Sequence, residues 1–129
     1  MSSFLLFIYI FLYYVKSKSN YICTTKNPCK DTRYHCDYDS NCDIKCIGNG
    51  ACNFTKFICP SLNNNCVISC ENEGSCMNTI FDGTNLQNGT LYLTTNKDNN
   101  VFKNNVIECP VRGFCDIYLQ SSLNKYDTF

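Results

Sequence analysis

Residues 36–76 read CDYDSNCDIKCIGNGACNFTKFICPSLNNNCVISCENEGSC. Cys42, Cys46 and Cys52 recur as Cys66, Cys70 and Cys76, each 24 residues later, and Cys36 recurs as Cys59 after 23. Self-similarity with a period in the twenties is the mark of a solenoid, in which each repeat is one coil stacked on the last. Within each copy, Cys42, Ile44 and Cys46 alternate with Asp43 and Lys45, and Cys66, Ile68 and Cys70 alternate with Val67 and Ser69. Alternation at period two describes a strand with one buried face. Turns containing glycine, IGNGA at 47–51 and ENEGS at 71–75, follow these strands.

Outward from this stretch, the pattern continues without its cysteines and then regains half of them. Phe81 and Gly83 stand where Phe57 and Cys59 stood, and Leu91, Leu93 and Thr95 take the places of Cys66, Ile68 and Cys70. A fourth copy brings Ile107, Cys109, the loop PVRGF, then Cys115, Ile117 and Leu119. The central column is Ile44, Ile68, Leu93 and Ile117, with steps of 24, 25 and 24. Together these predict an all-β fold: a small right-handed parallel β-helix of about four turns over residues 34–120, with successive strands stacked ~4.8 Å apart. Residues 20–33 read as an N-terminal cap and residues 121–129 as a polar C-terminal tail.

Twelve cysteines in 129 residues describe a disulfide scaffold. Their losses come in couples that bracket one loop: the third copy lacks all four cysteines, and the fourth keeps only Cys109 and Cys115. Bonds between neighbouring coils would leave Cys109 and Cys115 facing an empty third coil, with the next column mates ~10 Å away, beyond the ~7 Å reach of a bridge. Pairing across one strand, such as Cys42 with Cys46, would have to span ~13 Å. The expected bonds are therefore Cys23–Cys29, Cys36–Cys42, Cys46–Cys52, Cys59–Cys66, Cys70–Cys76 and Cys109–Cys115. Structural zinc is the competing use of cysteine. It favours close Cys pairs joined by histidine, and the chain has one histidine, His35.

The compartment follows from the N-terminus. Phe4 to Val15 is an unbroken apolar run of twelve, followed by Ser17-Lys18-Ser19. That is leader length and short of the ~20 residues a bilayer span needs. Residues 1–19 read as a cleaved signal peptide, with an uncleaved anchor as the alternative. A secreted, extracellular address would let the cysteines pair. Asn53 and Asn88 head two glycosylation sequons, Asn53-Phe54-Thr55 and Asn88-Gly89-Thr90.

The formal net charge is zero, which removes the electrostatic case for nucleic acid or an anionic membrane. Asp37, Asp39, Asn41 and Asp43 resemble the start of a calcium loop, but Cys42 sits where the turning glycine belongs and Gly48 where the bidentate glutamate belongs. No nucleophile–histidine–acid order, phosphate loop or dinucleotide motif is present, so no enzyme and no cofactor is expected. Val67, Tyr92 and Tyr118 fall on outward positions of their strands, and the two tyrosines are the candidate binding residues.

The motif carried by Ile58-Cys59-Pro60, Ile107-Glu108-Cys109-Pro110, Cys66 to Cys70 and Gly74-Ser75-Cys76 resembles cysteine-rich repeats in uncharacterised secreted proteins of protists. The resemblance covers about residues 34–119 and fails in the third copy. It implies an extracellular address and a stapled β-helix, and it implies no activity. The expected function is structural or adhesive, at a cell surface or in an extracellular matrix. The alternative is a glycan- or protein-binding module using one strand face. Solenoid ends carry unpaired edges, so the last turn, from Val106 to Gln120, is expected to dock a partner or another copy.

Overall fold

The computed structural model describes residues 17–95 and 104–119. Most of the stretch read as a signal peptide, up to residue 16, and the tail beyond residue 119 lie outside them. The described chain is all strand: β1 (Ser17–Lys18), β2 (Asn20–Thr24), β3 (Arg33–Cys36), β4 (Cys42–Ile47), β5 (Lys56–Ile58), β6 (Asn65–Glu71), β7 (Ile80–Asp82), β8 (Gln87–Thr95), β9 (Val106–Glu108) and β10 (Arg112–Leu119). Odd strands form one sheet in the order β1-β3-β5-β7-β9 and even strands the other in the order β10-β8-β6-β4-β2. Every pairing is parallel. The result is a parallel β-solenoid in which β3 to β10 make four coils.

The repeat positions fall in register. Ile44, Ile68, Leu93 and Ile117 pair from strand to strand as one column. The opposite wall is the column Tyr34, Phe57, Phe81 and Ile107. Its rings stack: Tyr34 on Phe57 at 5.3 Å and Phe57 on Phe81 at 6.0 Å between centroids. These aromatic contacts add to the burial of large apolar side chains that holds the two sheets together.

One further strand pair precedes the coil that begins at Tyr34. Ser17 and Lys18 pair with His35 and Cys36, and Asn20 to Thr24 pair with Asp43 to Ile47. Tyr21 thereby joins the isoleucine column opposite Ile44. Its ring lies edge-on to Tyr34 and Phe57, and its hydroxyl donates to the His35 carbonyl. Ser17 and Lys18 fall inside the stretch read as leader, so β1 and β2 extend the solenoid into a region whose two-residue first strand has no apolar alternation to reveal it.

Six disulfides close single loops: Cys23–Cys29, Cys36–Cys42, Cys46–Cys52, Cys59–Cys66, Cys70–Cys76 and Cys109–Cys115, with Cα separations of 5.3–6.0 Å. Cys23, Cys46 and Cys70 stack in register. The Cys46 sulfur lies within 4.8 Å of both Cys70 and Cys76, and the Cys52 sulfur equally near Cys23 and Cys29. Three bonds thus form a continuous file of sulfur along one corner of the core. In the third coil, Leu91 takes the in-register place of Cys66. Gly83 leaves room for it, since a Cβ there would stand 3.2 Å from the Leu91 side chain and 2.9 Å from the Glu108 carbonyl oxygen.

Asparagines tie one corner together. Asn41 Oδ1 accepts the Asn65 N–H at 2.8 Å, and Asn65 Oδ1 accepts the Thr90 N–H at 3.3 Å. Each side chain thus satisfies a backbone donor one coil further on, at the first residue of β6 and within β8.

Candidate binding surface

The even-numbered sheet presents the broadest outer face. Register gives it two outward columns: Asn20, Asp43, Val67, Tyr92, Asp116, and beside it Ile22, Lys45, Ser69, Thr94, Tyr118. Tyr92 and Tyr118, singled out from parity alone, are brought together, their ring centroids 5.3 Å apart and their planes tilted by 40°. Val67 pairs in register with Tyr92, and both Val67 and Tyr118 are exposed. Ser69 and Thr94 hydroxyls lie 3.4 Å apart in the neighbouring column. The face therefore offers two aromatic rings with hydroxyl groups beside them. That combination suits the stacked face and polar rim of a sugar, or a protein side chain.

The second surface is the C-terminal end. Val106, Val111, Phe114, Ile117 and Tyr118 are all exposed large apolar residues, and all belong to the last coil. Ile117 is the informative one. It occupies the inward column in which Ile44, Ile68 and Leu93 are 0% exposed, yet it is 45% exposed. Nothing among the described residues stacks on it. Among the described residues β10 is also the terminal strand of its sheet, so no described strand takes up one row of its backbone donors and acceptors.

Several other polar residues bond within the scaffold. Lys56 reaches Asp82 at 3.6 Å across one coil. Burial pushes the Asp82 carboxyl up. Hydrogen bonds from the Thr84 hydroxyl and N–H, with the Lys56 charge, outweigh that and hold it below its ordinary range. Burial raises the Tyr21 hydroxyl above its ordinary value, the nearby Asp37 charge adding to it and a backbone hydrogen bond opposing. In the stretch that resembles a calcium loop, Asp37 accepts from the Ser17 hydroxyl at 2.7 Å and Asn41 is taken up by Asn65. Among the described residues, the only clusters of three potential metal ligands are cysteine sulfurs, and every one is in a disulfide. His35 is half-buried beside the first coil. A hollow of about 770 Å³ at the N-terminal end is lined by Lys18, Lys30, Arg33, Asp31 and the two tyrosines 21 and 34.

The two sequons differ in setting. Asn53 is half-buried, with Oδ1 accepting the Met77 N–H at 3.1 Å. Its Thr55 is 3% exposed and donates to the Cys52 carbonyl at 2.7 Å. Asn88 is exposed, in a left-handed conformation at φ 60°, at the start of β8. The Lys56–Asp82 pair and the exposed inward Ile117 escape sequence reading. The first becomes visible only once β5 and β7 are placed in register, and the second only once the stack is seen to end.

Comparison with family models, with curated proteins and with solved structures finds no match for the chain. Among the described residues no helix is long and apolar enough to cross a membrane.

Proposed function

We propose that the protein is a secreted, non-catalytic structural or adhesive module of a cell surface or extracellular matrix, docking through its C-terminal coil. The observation that carries this is the exposure of Ile117 in an otherwise buried column, beside Phe114, Tyr118 and the free edge of β10. An inward-facing aliphatic residue left this exposed, with apolar neighbours on the same strand, suits an interaction surface. Six disulfides in a chain with an apolar leader support the address. Asn88, exposed at the start of β8, is the sequon proposed to carry a glycan. The test is expression of the full chain from a eukaryotic secretory host. The oxidised protein is expected in the medium or retained on the cell surface, losing mass on endoglycosidase treatment through Asn88. Phe114→Ser is expected to reduce its retention on matrix or cells. A reduced, intracellular product removes the reading.

A second reading has its own observation, the Tyr92–Tyr118 ring pair on the outer face. It makes that face a glycan- or protein-binding site. Binding on a glycan array that is lost in Tyr92→Ala, with retention through Phe114 unaffected, selects it over the first.

A further inference from the structure

We infer that two copies of this chain join through the free edges of β10, antiparallel, about a two-fold axis at Phe114. The inference rests on the reading of the last coil as the docking surface and names its occupant. Its basis is the self-complementary order of the strand. Residues 110–118 read PVRGFCDIY. Setting Phe114 against Phe114 of the second copy places Arg112 opposite Asp116 and Asp116 opposite Arg112. It also brings Val111, the residue just before β10, to the level of Ile117. Directly opposed residues of an antiparallel pair share one face and stand ~4.5–5.5 Å apart.

Parity agrees with this on the outward face. Arg112, Phe114 and Asp116 lie on the outward face and are exposed, so the two charge pairs would flank the paired rings. Ile117, 45% exposed, has the inward parity, and Val111, 87% exposed, is the turn residue just before β10, so the second copy's Val111 would be brought to the open end of the core beside Ile117. The exposed Ile117 thereby acquires a lid that the described residues do not supply. The shift of register between Arg112 and Phe114 lies beside the axis, within the reach of the long arginine side chain. The opposite edge does not share this property. β2, Asn20 to Thr24, carries no charge to pair, and its inward Tyr21 is already buried. An interface of this kind uses the same patch on both copies, so it closes at two and does not propagate into fibres.

The experiment is sedimentation of the full chain, with its six disulfides, over a range of concentration and salt. Arg112→Asp, Asp116→Arg and the double exchange are compared with the parent chain. Circular dichroism and disulfide mapping of each variant establish that the fold is kept; both side chains are exposed. A dimer that weakens as salt rises is expected. Each single reversal turns two attractive pairs repulsive and is expected to weaken the dimer at least about tenfold. The double exchange restores opposite charges across the axis and is expected to recover it. A monomer at every concentration, a dimer indifferent to both reversals, or loss without recovery in the double exchange overturns the inference. A monomer that still attaches to matrix or cells through Phe114 leaves the docking reading standing, whereas loss of both attachment and dimer removes the two together.

Discussion

Asp82 closes β7 with its carboxylate turned back on its own chain, accepting from Thr84 and facing Lys56 of the preceding coil. Its side chain is 13% exposed, so the pairing is sheltered though not sealed. The sign of its contribution follows from a folded-state pKa below its ordinary 3.8. Stability from this group is complete above that value and drains away as pH falls through the lower, folded-state range. Acid unfolding monitored by circular dichroism should therefore be less steep for Asp82→Asn than for the parent chain in that range, with Asp82→Asn the less stable of the two at neutral pH. Next to it, Gly83 donates its N–H to the Glu108 carbonyl at 2.8 Å, the same oxygen that a Cβ would crowd. Gly83→Ala is expected to cost about 1–3 kcal/mol through overpacking, read as a lower urea midpoint. Leu91→Ala, which empties the space that a sulfur bridge fills elsewhere, should cost about 2–5 kcal/mol.

Among the elements, the four coils from β3 to β10 were legible because each carries a Cys, Ile or Leu at the same inward position, and parity survives even where cysteine is replaced by Leu91 and Thr95. Pairing within coils was legible for a related reason. Both members of each couple disappear together, and chain geometry forbids the other partners. β1 was not legible, because two residues cannot show a period and Ser17 and Lys18 are polar. Tyr21 and Cys23 do share parity in β2, but without a visible strand before them they read as a cap. The Tyr92–Tyr118 contact was half legible. Parity placed both rings outward, and only the register, with Tyr118 beside Thr94, brought them diagonally together. β1 makes a prediction of its own. The Lys18 and Ser19 carbonyls accept from Asp37 and Asp43 at 2.9 and 2.8 Å, and the Ser17 hydroxyl bonds Asp37. A chain starting at Asn20 loses these three bonds. It is expected to be less stable than one starting at Ser17 by roughly 2–3 kcal/mol, at about 1 kcal/mol per bond, measured by thermal unfolding of the two.

Among the described residues, strand pairing joins neighbouring coils, which makes the molecule close to one-dimensional. Sulfur is spread unevenly along it. Between Cys76 and Cys109 no ring is closed, whereas every other coil has at least one. Under tension this unevenness becomes a mechanical property. Held by its two ends and drawn apart, the chain can release its slack freely only where no covalent ring holds it, and the longest such run is residues 77–108. Fully extended, that run reaches about 110 Å. Single-molecule stretching should show it as the largest single step in length, with the ring-bound coils yielding less until a thiol reductant frees them. The sulfur-free coil would then serve as an extensible link between two stiff ends.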